Sequence, residues 1–389
     1  QLQIILENSK IYQYDQMREV MQEVRKYFRF SWSNKKLKYF NVPACFDIET
    51  SSFYQSGNKT AIMYEWTLSI FGAVIIGRTW PEFQTCIRDL VRILNLGTNK
   101  RLIIYVHNLA YEFQFIRKYF IWEKVFAIDN RKPLYALTDS GIEFRCSYML
   151  SGYSLQKLGD QLHDFDVQKL AGYLDYSKIR HSRTPLTEKE ISYCINDVQT
   201  VVAYIQEYIV RVSGISKIPL TKTGVVRKYC RDNCFYEPGE SKKRSRKRQR
   251  YKELIQTMVL DPAEYKQLKR AFQGGFTHAN PFYSGKEMQD ITSFDFTSSY
   301  PAVMVADKYP MSSAEMIDIT SQGELIKNLK LYCCLFDIEF TELKPRLLYD
   351  NYISVSRCWH LKEAVTNNGR VVAASELRTT ITEQDFFII

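Results

Sequence analysis

The sequence predicts an α/β domain with a mixed sheet flanked by helices, followed by a smaller α+β region. Short apolar runs of strand character, at 44–49 and 102–106, alternate with stretches of helical spacing. Thr187 and Glu190 form a capping-box pattern that opens a long helix with one apolar stripe. After this helix the strand–helix alternation stops, which indicates a change of architecture.

The elements predicted for the first region alternate between strand and helix. In chain order they are a mostly helical segment at 1–40, strands at 44–49 and 67–76, a helix from Pro81 to Leu94, a strand at 102–106, a helix at 109–120, strands at 134–138 and 142–146, and a helix from Thr187 to about Val210. Pro81 suits a first helical turn because that position needs no N–H donor. Asp139-Ser140-Gly141 is typical of a hairpin turn.

The second region is predicted to contain a helix at 253–272 broken at Asp261-Pro262, a loop or strand at 273–286, and strands at 294–296 and 332–340. The predicted boundaries are 1–40 for an amino-terminal helical segment, 41–212 for the α/β domain, 213–252 for a linker with a basic run, and 253–389 for the α+β domain.

The composition is that of a globular protein, with 45% hydrophobic and 25% charged residues among 389. The net charge of +10 comes largely from Lys and Arg residues between 242 and 252. This run could bind phosphates, or it could be a solvated loop or a nuclear-localisation-like tract. No apolar run reaches the roughly 18 residues that span a bilayer, so no membrane partner is expected.

The nine cysteines show no framework spacing, and their odd number argues against a secreted disulfide scaffold. Cys230 and Cys234 lack a second Cys or His pair at zinc-site spacing. We interpret them as core or surface thiols of a protein from a reducing compartment.

Two acids stand two positions apart on the first predicted strand. Asp47 and Glu49 therefore share one face of that strand. Two neighbouring carboxylates are costly in a low dielectric unless a cation lies between them, and oxygen ligands suit a hard divalent cation. The alternative is an edge-strand pair that faces water.

Two later segments carry further acids. Asn108 lies where a strand gives way to a helix, either to place helix-terminal amides near a phosphate or simply as an N-cap, and Glu112 follows one turn later. Tyr193 and Asp197 are four residues apart and share a helix face, which also fits a buried hydrogen bond between them.

In this order the three segments resemble the three exonuclease motifs of proofreading DNA polymerases, within the ribonuclease-H-like superfamily. The resemblance implies that Asp47, Glu49, Glu112 and Asp197 bind two Mg²⁺ or Mn²⁺ ions, and that Tyr193 orients the attacking water. It implies 3′→5′ hydrolysis of the terminal phosphodiester of single-stranded DNA. The family usually has Asp where Glu112 stands.

The same resemblance implies further DNA contacts in the first domain. The residues concerned are Thr50, Asn108, Tyr111, Ser147 and Tyr176. Lys169 matches a lysine that neutralises the attacked phosphate in the protein-primed branch, although the spacing here is longer. An ordinary surface lysine is the alternative at that position.

Two segments of the second region resemble the Y-x-G-G loop and motif A of family B DNA polymerases. They are Phe272-Gln273-Gly274-Gly275-Phe276 and Phe294-Asp295-Phe296-Thr297-Ser298-Ser299-Tyr300-Pro301. The similarity is greatest to the protein-primed branch of phages and linear plasmids. It implies that Asp295 is catalytic and binds Mg²⁺, that Tyr300 contacts the nucleotide and rejects a ribose 2′-OH, and that Gly274 and Gly275 contact DNA passing between the two active sites.

No second palm carboxylate motif of Y-x-D-T-D type and no nucleotide-binding lysine helix precede Ile389. We therefore expect the amino-terminal portion of a replicative DNA-directed DNA polymerase, a viral or plasmid-encoded nucleotidyltransferase of the host cytoplasm, with an incomplete palm. The expected partners are single-stranded and primer-template DNA, dNTP in the full-length parent, and, left open, a terminal priming protein. A stand-alone ribonuclease-H-like exonuclease and a non-catalytic DNA-binding module with a degenerate nuclease site are the alternatives.

Overall fold

The computed structural model describes residues 2–8, 10–33, 36–167, 174–236, 245–278, 280, 282–346 and 351–389. The chain divides into two compact units, Gln1–Asn233 and Cys234–Ile389. The division falls inside the segment that the sequence predicts as a linker. Within the described residues, no helix combines the length and the apolar character needed to cross a bilayer.

The first unit is built on a mixed ten-stranded sheet with the order β1-β6-β5-β4-β7-β10-β9-β8, to which the β2–β3 hairpin is joined through β3 and β7. Its strands are β1 (Ile11–Gln13), β2 (Phe30–Trp32), β3 (Lys38–Phe40), β4 (Ala44–Gln55), β5 (Asn58–Ile70), β6 (Ala73–Gly77), β7 (Lys100–Val106), β8 (Trp122–Asp129), β9 (Lys132–Thr138) and β10 (Ile142–Cys146). The central strands β4 and β7 are parallel neighbours, with Cys45 opposite Tyr105, so β7 ends beside the part of β4 that carries Asp47.

Helices cover both faces of this sheet. The helices of this part of the chain are α1 (Leu2–Glu7), α2 (Met17–Val24), α3 (Trp80–Leu94), α4 (Leu109–Ile116), α5 (Ser147–Ser151), α6 (Leu155–Asp160), α7 (Glu188–Val212) and α8 (Lys222–Cys234), of which α8 has no buried residue. The capping box of Thr187 and Glu190 that the sequence predicts is present at the start of α7. The predicted α/β class with a mixed sheet flanked by helices is confirmed.

Strand alternation decides which side chains of β4 face which helix layer. Ala44, Phe46 and Ile48 join the core cluster that contains α3, whereas Cys45 joins the cluster that contains the apolar stripe of α7. Because successive strand side chains point to opposite faces, Asp47 and Glu49 lie on the α7 side. The β4 register therefore determines where the two acids project.

Two local predictions for this unit are wrong. The segment 1–40 contains strands as well as helices, because β1 pairs with β6 and β3 pairs with β7. The predicted strand 67–76 is interrupted by a turn between β5 and β6, where Phe71 and Gly72 both adopt positive φ values of 49° and 87°. In the first case sheet pairing overrides local sequence preference, and in the second a tight turn joins two antiparallel strands.

The second unit is an α+β fold with an antiparallel sheet of order β11-β14-β12, in which β13 also pairs with β14. Its elements are α9 (Arg246–Thr257), α10 (Pro262–Ala271), α11 (Ser299–Ala306), α12 (Gln322–Leu331), β11 (Leu335–Leu343), β12 (Cys358–Lys362), β13 (Val365–Asn367), β14 (Arg370–Thr382) and α13 (Glu383–Ile388). The sequence predicts the basic run as part of a linker, but from Arg246 onward the run is helical, capped by the Ser245 side chain. Residues 237–244 lie outside the described part of the chain.

A buried arginine connects three elements of the second unit. The Arg357 guanidinium donates hydrogen bonds to the Ala271 carbonyl at 3.1 Å, the Thr380 carbonyl at 2.9 Å and the Asp385 carboxylate at 3.1 Å. Asp385 also completes the capping box of α13 with Thr382. The end of α10, strand β14 and helix α13 are therefore held by one ionic hydrogen-bond network.

Candidate functional site

Three acids from two elements converge on the α7 face of β4. Helix α7 packs across β4 and β5 and brings Asp197 to Asp47 and Glu49, so that one carboxylate oxygen from each residue lies within 4.8 Å of the others. Oxygens bound to one divalent cation at about 2.0–2.6 Å lie at most about 5 Å apart. In the described part of the chain, no second group of three or more His, Cys, Asp or Glu side chains meets the same condition.

The fourth predicted acid flanks this triad without belonging to it. Because Cys45 of β4 lies opposite Tyr105 of β7, the turn after β7 places the start of α4 near Asp47. Glu112 points inward from the first turn of α4, with 4% of its surface exposed. Its charge interacts most strongly with that of Asp47 and next with that of Glu49.

The surroundings of Glu112 disfavour the charged form of its carboxyl group. Burial, and then repulsion from Asp47, raise the pKa of the Glu112 carboxyl well above its ordinary value. Its Oε2 atom is buried and accepts no hydrogen bond from any described residue. A buried carboxylate oxygen beside an acidic triad fits a hard divalent cation, which would place positive charge next to the four acids.

Tyr193 lies one helical turn before Asp197 on α7 and is 5% exposed. Burial and the adjacent Asp197 charge raise the pKa of its phenol above the ordinary value, so the hydroxyl remains protonated at neutral pH. Its oxygen is 3.1 Å from the hydroxyl of Tyr176, whose side chain is largely exposed. The structure thus brings two of the predicted site tyrosines together.

Thr50 and Tyr111 also meet, with their hydroxyl oxygens 2.5 Å apart. A β-bulge between Glu49 and Thr50 shifts the strand register immediately after the acids. Asn108 adopts the left-handed conformation, with φ 77°, and its exposed side chain makes no capping hydrogen bond. A backbone turn, which Asn tolerates better than most residues, explains its position better than side-chain capping does.

Ser147 is fully buried and cannot contact DNA directly in this conformation. Its hydroxyl contacts His107 Nδ1 at 3.1 Å and the Val106 carbonyl at 3.3 Å. The predicted contact therefore needs correction, because Ser147 begins α5 directly after β10 and its side chain is enclosed by the protein. Lys169 lies outside the described residues.

The predicted site residues of the second unit are exposed. Asp295 and Tyr300 are exposed, and an added Cβ at Gly274 or Gly275 would meet no atom within 4 Å. The predicted strand 294–296 is wrong, because this segment pairs with no strand of the described chain and its two phenylalanines are 91% and 85% exposed. A strand needs a hydrogen-bonded partner and a packing surface, and the described residues offer neither here.

No sequence pattern identifies Arg180 or Ser51, yet both border the site. Arg180 is 3% exposed and forms an ion pair with Glu190 of the capping box, while its backbone N–H donates to Ser51. An isolated arginine in a polar segment gives no periodic signal. Only the tertiary structure reveals that it is buried.

Residues 160–383 match the family model for DNA polymerase type B, organellar and viral. The chain belongs to this family. Its fold is similar to that of Phi29 DNA polymerase complexed with primer-template DNA and incoming nucleotide substrates, with a TM-score of 0.56, 15% identity, and coverage of 90% of this chain and 58% of that one.

A second structure, Phi29 DNA polymerase complexed with single-stranded DNA, gives a TM-score of 0.55, 16% identity, and coverage of 90% of this chain and 57% of that one. This type B polymerase chain therefore spans less than two thirds of the solved chains that it resembles. No curated protein sequence matches it significantly.

Proposed function

We propose that the first unit of this type B polymerase chain is a metal-dependent 3′→5′ exonuclease, ribonuclease-H-like in fold, that degrades single-stranded DNA. The observation that carries the proposal is the convergence of Asp47, Glu49 and Asp197, with the buried Glu112 beside them. A proofreading nuclease is a natural companion of a polymerase, and the related Phi29 enzyme has been captured with single-stranded DNA.

Asp47, Glu49 and Asp197 would hold one Mg²⁺ or Mn²⁺ ion, and Glu112 would help to hold a second. When bound, such ions lower the pKa of water and stabilise the oxygen that leaves in phosphodiester hydrolysis. The donor set fits these ions because it consists of carboxylate oxygens only. Glu112 is one methylene longer than the usual Asp, which allows its carboxylate to reach the site from outside the triad.

Tyr193 would donate its hydroxyl proton in a hydrogen bond to the attacking water, since the raised pKa keeps that proton in place. The Thr50–Tyr111 pair and the exposed side chains of Asn108 and Tyr176 would hold the unpaired 3′ end. Tyrosine rings suit this role because every base presents a face for stacking. Lys169 would neutralise the attacked phosphate.

The second unit would carry the start of a polymerase palm. Asp295 would bind a catalytic Mg²⁺, Tyr300 would select against a ribose 2′-OH, and the Gly274–Gly275 pair would let DNA approach the backbone closely. We extend the proposal to polymerisation with dNTP on a primer-template and to priming by a terminal protein in the host cell.

The test is degradation of a 5′-labelled single-stranded oligonucleotide by the whole chain in Mg²⁺ or Mn²⁺. We expect shortening from the 3′ end, lost in the Asp47→Ala, Glu49→Ala double variant and in excess chelator. The matched control is Asp337→Ala, Glu339→Ala, which removes two acids at the same spacing from β11. Undiminished activity of the first variant would contradict the proposal.

A second candidate is a DNA-binding module without nuclease activity. The position of Glu112 outside the triad and the exposed basic residues of α9 favour it. Its signature would be binding that weakens steeply with salt, together with no cleavage in Mn²⁺.

A further inference from the structure

The segment 174–180, called the strap here, carries Tyr176 to the proposed nuclease site. At its tip the Tyr176 hydroxyl lies 3.1 Å from the Tyr193 hydroxyl, while the ring remains 71% exposed. The strap has no regular secondary structure. Its position therefore depends on side-chain and loop hydrogen bonds rather than on a helix or sheet.

One buried side chain supplies four of these bonds. The Arg180 guanidinium donates to the carbonyls of Asp175 at 2.8 Å and Lys178 at 3.2 Å, which flank Tyr176 within the strap. The same group donates twice to Glu190 Oε1, at 3.0 and 2.5 Å. Arg180 thus closes the strap on itself and joins it to the first turn of α7.

The backbone of Arg180 joins the strap to β4. Its N–H donates to the buried hydroxyl of Ser51 at 2.7 Å, one residue beyond Thr50. Glu190 lies one turn before Tyr193 on α7 and also accepts a hydrogen bond from the Thr187 backbone N–H at 2.8 Å. The two elements that carry the acidic triad are therefore the ones to which Arg180 anchors the strap.

Burial alone would raise the pKa of Glu190, but hydrogen bonds from the Thr187 backbone and from Arg180 outweigh it and lower the pKa. Glu190 is therefore ionised at neutral pH. A forked, charge-assisted pair fixes geometry more tightly than a single neutral hydrogen bond does.

We infer that Arg180 is a positioning residue of the nuclease: it holds Tyr176 against Tyr193 without touching the acids or the DNA end. The inference rests on the proposed function of the first unit. A purely structural role would lower stability alone, whereas a positioning role links Arg180 to Tyr176 in catalysis.

The experiment is a double-mutant cycle in the whole chain with Arg180→Gln, Tyr176→Phe and their combination, measured with single-stranded DNA in Mn²⁺. We expect Arg180→Gln to lower kcat by about tenfold to a hundredfold, as expected when a reacting group is displaced by about an ångström. If Arg180 acts through Tyr176, the double variant should be no worse than Arg180→Gln alone. Additive losses would overturn the inference.

Two further variants separate positioning from folding. Arg145→Gln breaks another buried Arg–Glu pair of the first unit, Arg145 with Glu143 at 2.7 Å, and should lower the melting temperature without a comparable loss of kcat. Arg180→Lys keeps the positive charge but loses the planar guanidinium with its several N–H donors. Its kcat should therefore lie between those of the wild type and Arg180→Gln. Equal kcat losses in Arg145→Gln and Arg180→Gln would contradict a positioning role.

Hydrogen exchange distinguishes failure of this inference from failure of the proposed function. Arg180→Gln should speed amide exchange across 174–180, and Arg145→Gln should not. If the wild-type chain degraded no DNA, the proposed function would fail. The exchange result would still test whether Arg180 holds the strap in place. Unchanged exchange in Arg180→Gln would overturn the inference whatever the activity.

Discussion

Both units carry an acidic motif that the sequence predicts to bind metal, but only in the first unit do acids from separate elements come together. Asp47, Glu49 and Asp197, which lie on β4 and α7, have oxygens within 4.8 Å of one another, and Glu49 and Asp197 are buried. Asp295 is exposed, lies on no strand and belongs to no such group among the described residues. The difference teaches that a motif becomes a site only where other elements supply the opposing ligands and the packing surface.

The largest expected effect comes from replacing one acid in each unit and comparing the two variants. Asp197→Asn should slow degradation of single-stranded DNA by about a thousandfold, since loss of a metal ligand costs several kcal/mol of transition-state stabilisation. Asp295→Asn should leave this rate unchanged. A comparable loss in both variants, measured under single-turnover conditions, would break the comparison between an assembled and an unassembled motif.

A smaller effect is expected on the melting temperature of the metal-free protein. Glu112→Gln should raise the melting temperature in excess chelator, because it removes a carboxyl whose pKa is raised by burial and by Asp47. Each kcal/mol gained corresponds to about 2–4 °C for a domain of this size. Mg²⁺ should stabilise the wild type more than this variant.

Glu143→Gln is the matched control for Glu112→Gln. Glu143 is likewise 4% exposed, but it is paired with Arg145 and Arg101. Its replacement should lower the melting temperature, since it leaves a buried arginine without its counter-charge. A stabilising effect of both variants would show that Glu112 carries no special electrostatic strain.

The smallest effect concerns the second unit, whose buried acid has a cationic partner. Burial would raise the pKa of Asp385, but hydrogen bonds from the Thr382 backbone, Tyr352 and Arg357 outweigh it and lower the pKa below its ordinary 3.8. A lowered pKa stabilises the fold above the ordinary value, and this contribution disappears as the pH falls through the folded-state value.

Asp385→Asn should therefore lower the free energy of unfolding of the second unit by about 1–3 kcal/mol at pH 7. The difference from the wild type should shrink as the pH falls below the ordinary value. Urea unfolding of the second unit can be followed by the fluorescence of Trp359, which lies on β12. The Trp359→Phe variant identifies the part of the signal that comes from this residue. A difference that grew towards acid pH would refute the assigned role of Asp385.

Much of the first site could be predicted from the sequence because its signals are local. The i, i+2 spacing of Asp47 and Glu49 places both acids on one strand face, and the i, i+4 spacing of Tyr193 and Asp197 does the same on a helix. The predictions for Ser147 and for the strand 294–296 failed because enclosure and strand pairing are long-range properties. No local pattern reports them.

The sequence by itself determined the α/β class, the long capped helix and the polymerase family, since periodicity, capping and motif order are properties of neighbouring residues. Only the tertiary structure decided that α7 crosses β4 at the acids, that Glu112 flanks the triad from α4, and that Arg180 is buried against Glu190. The physical reason is that distance, burial and charge pairing between remote segments arise only when the sheet brings those segments together.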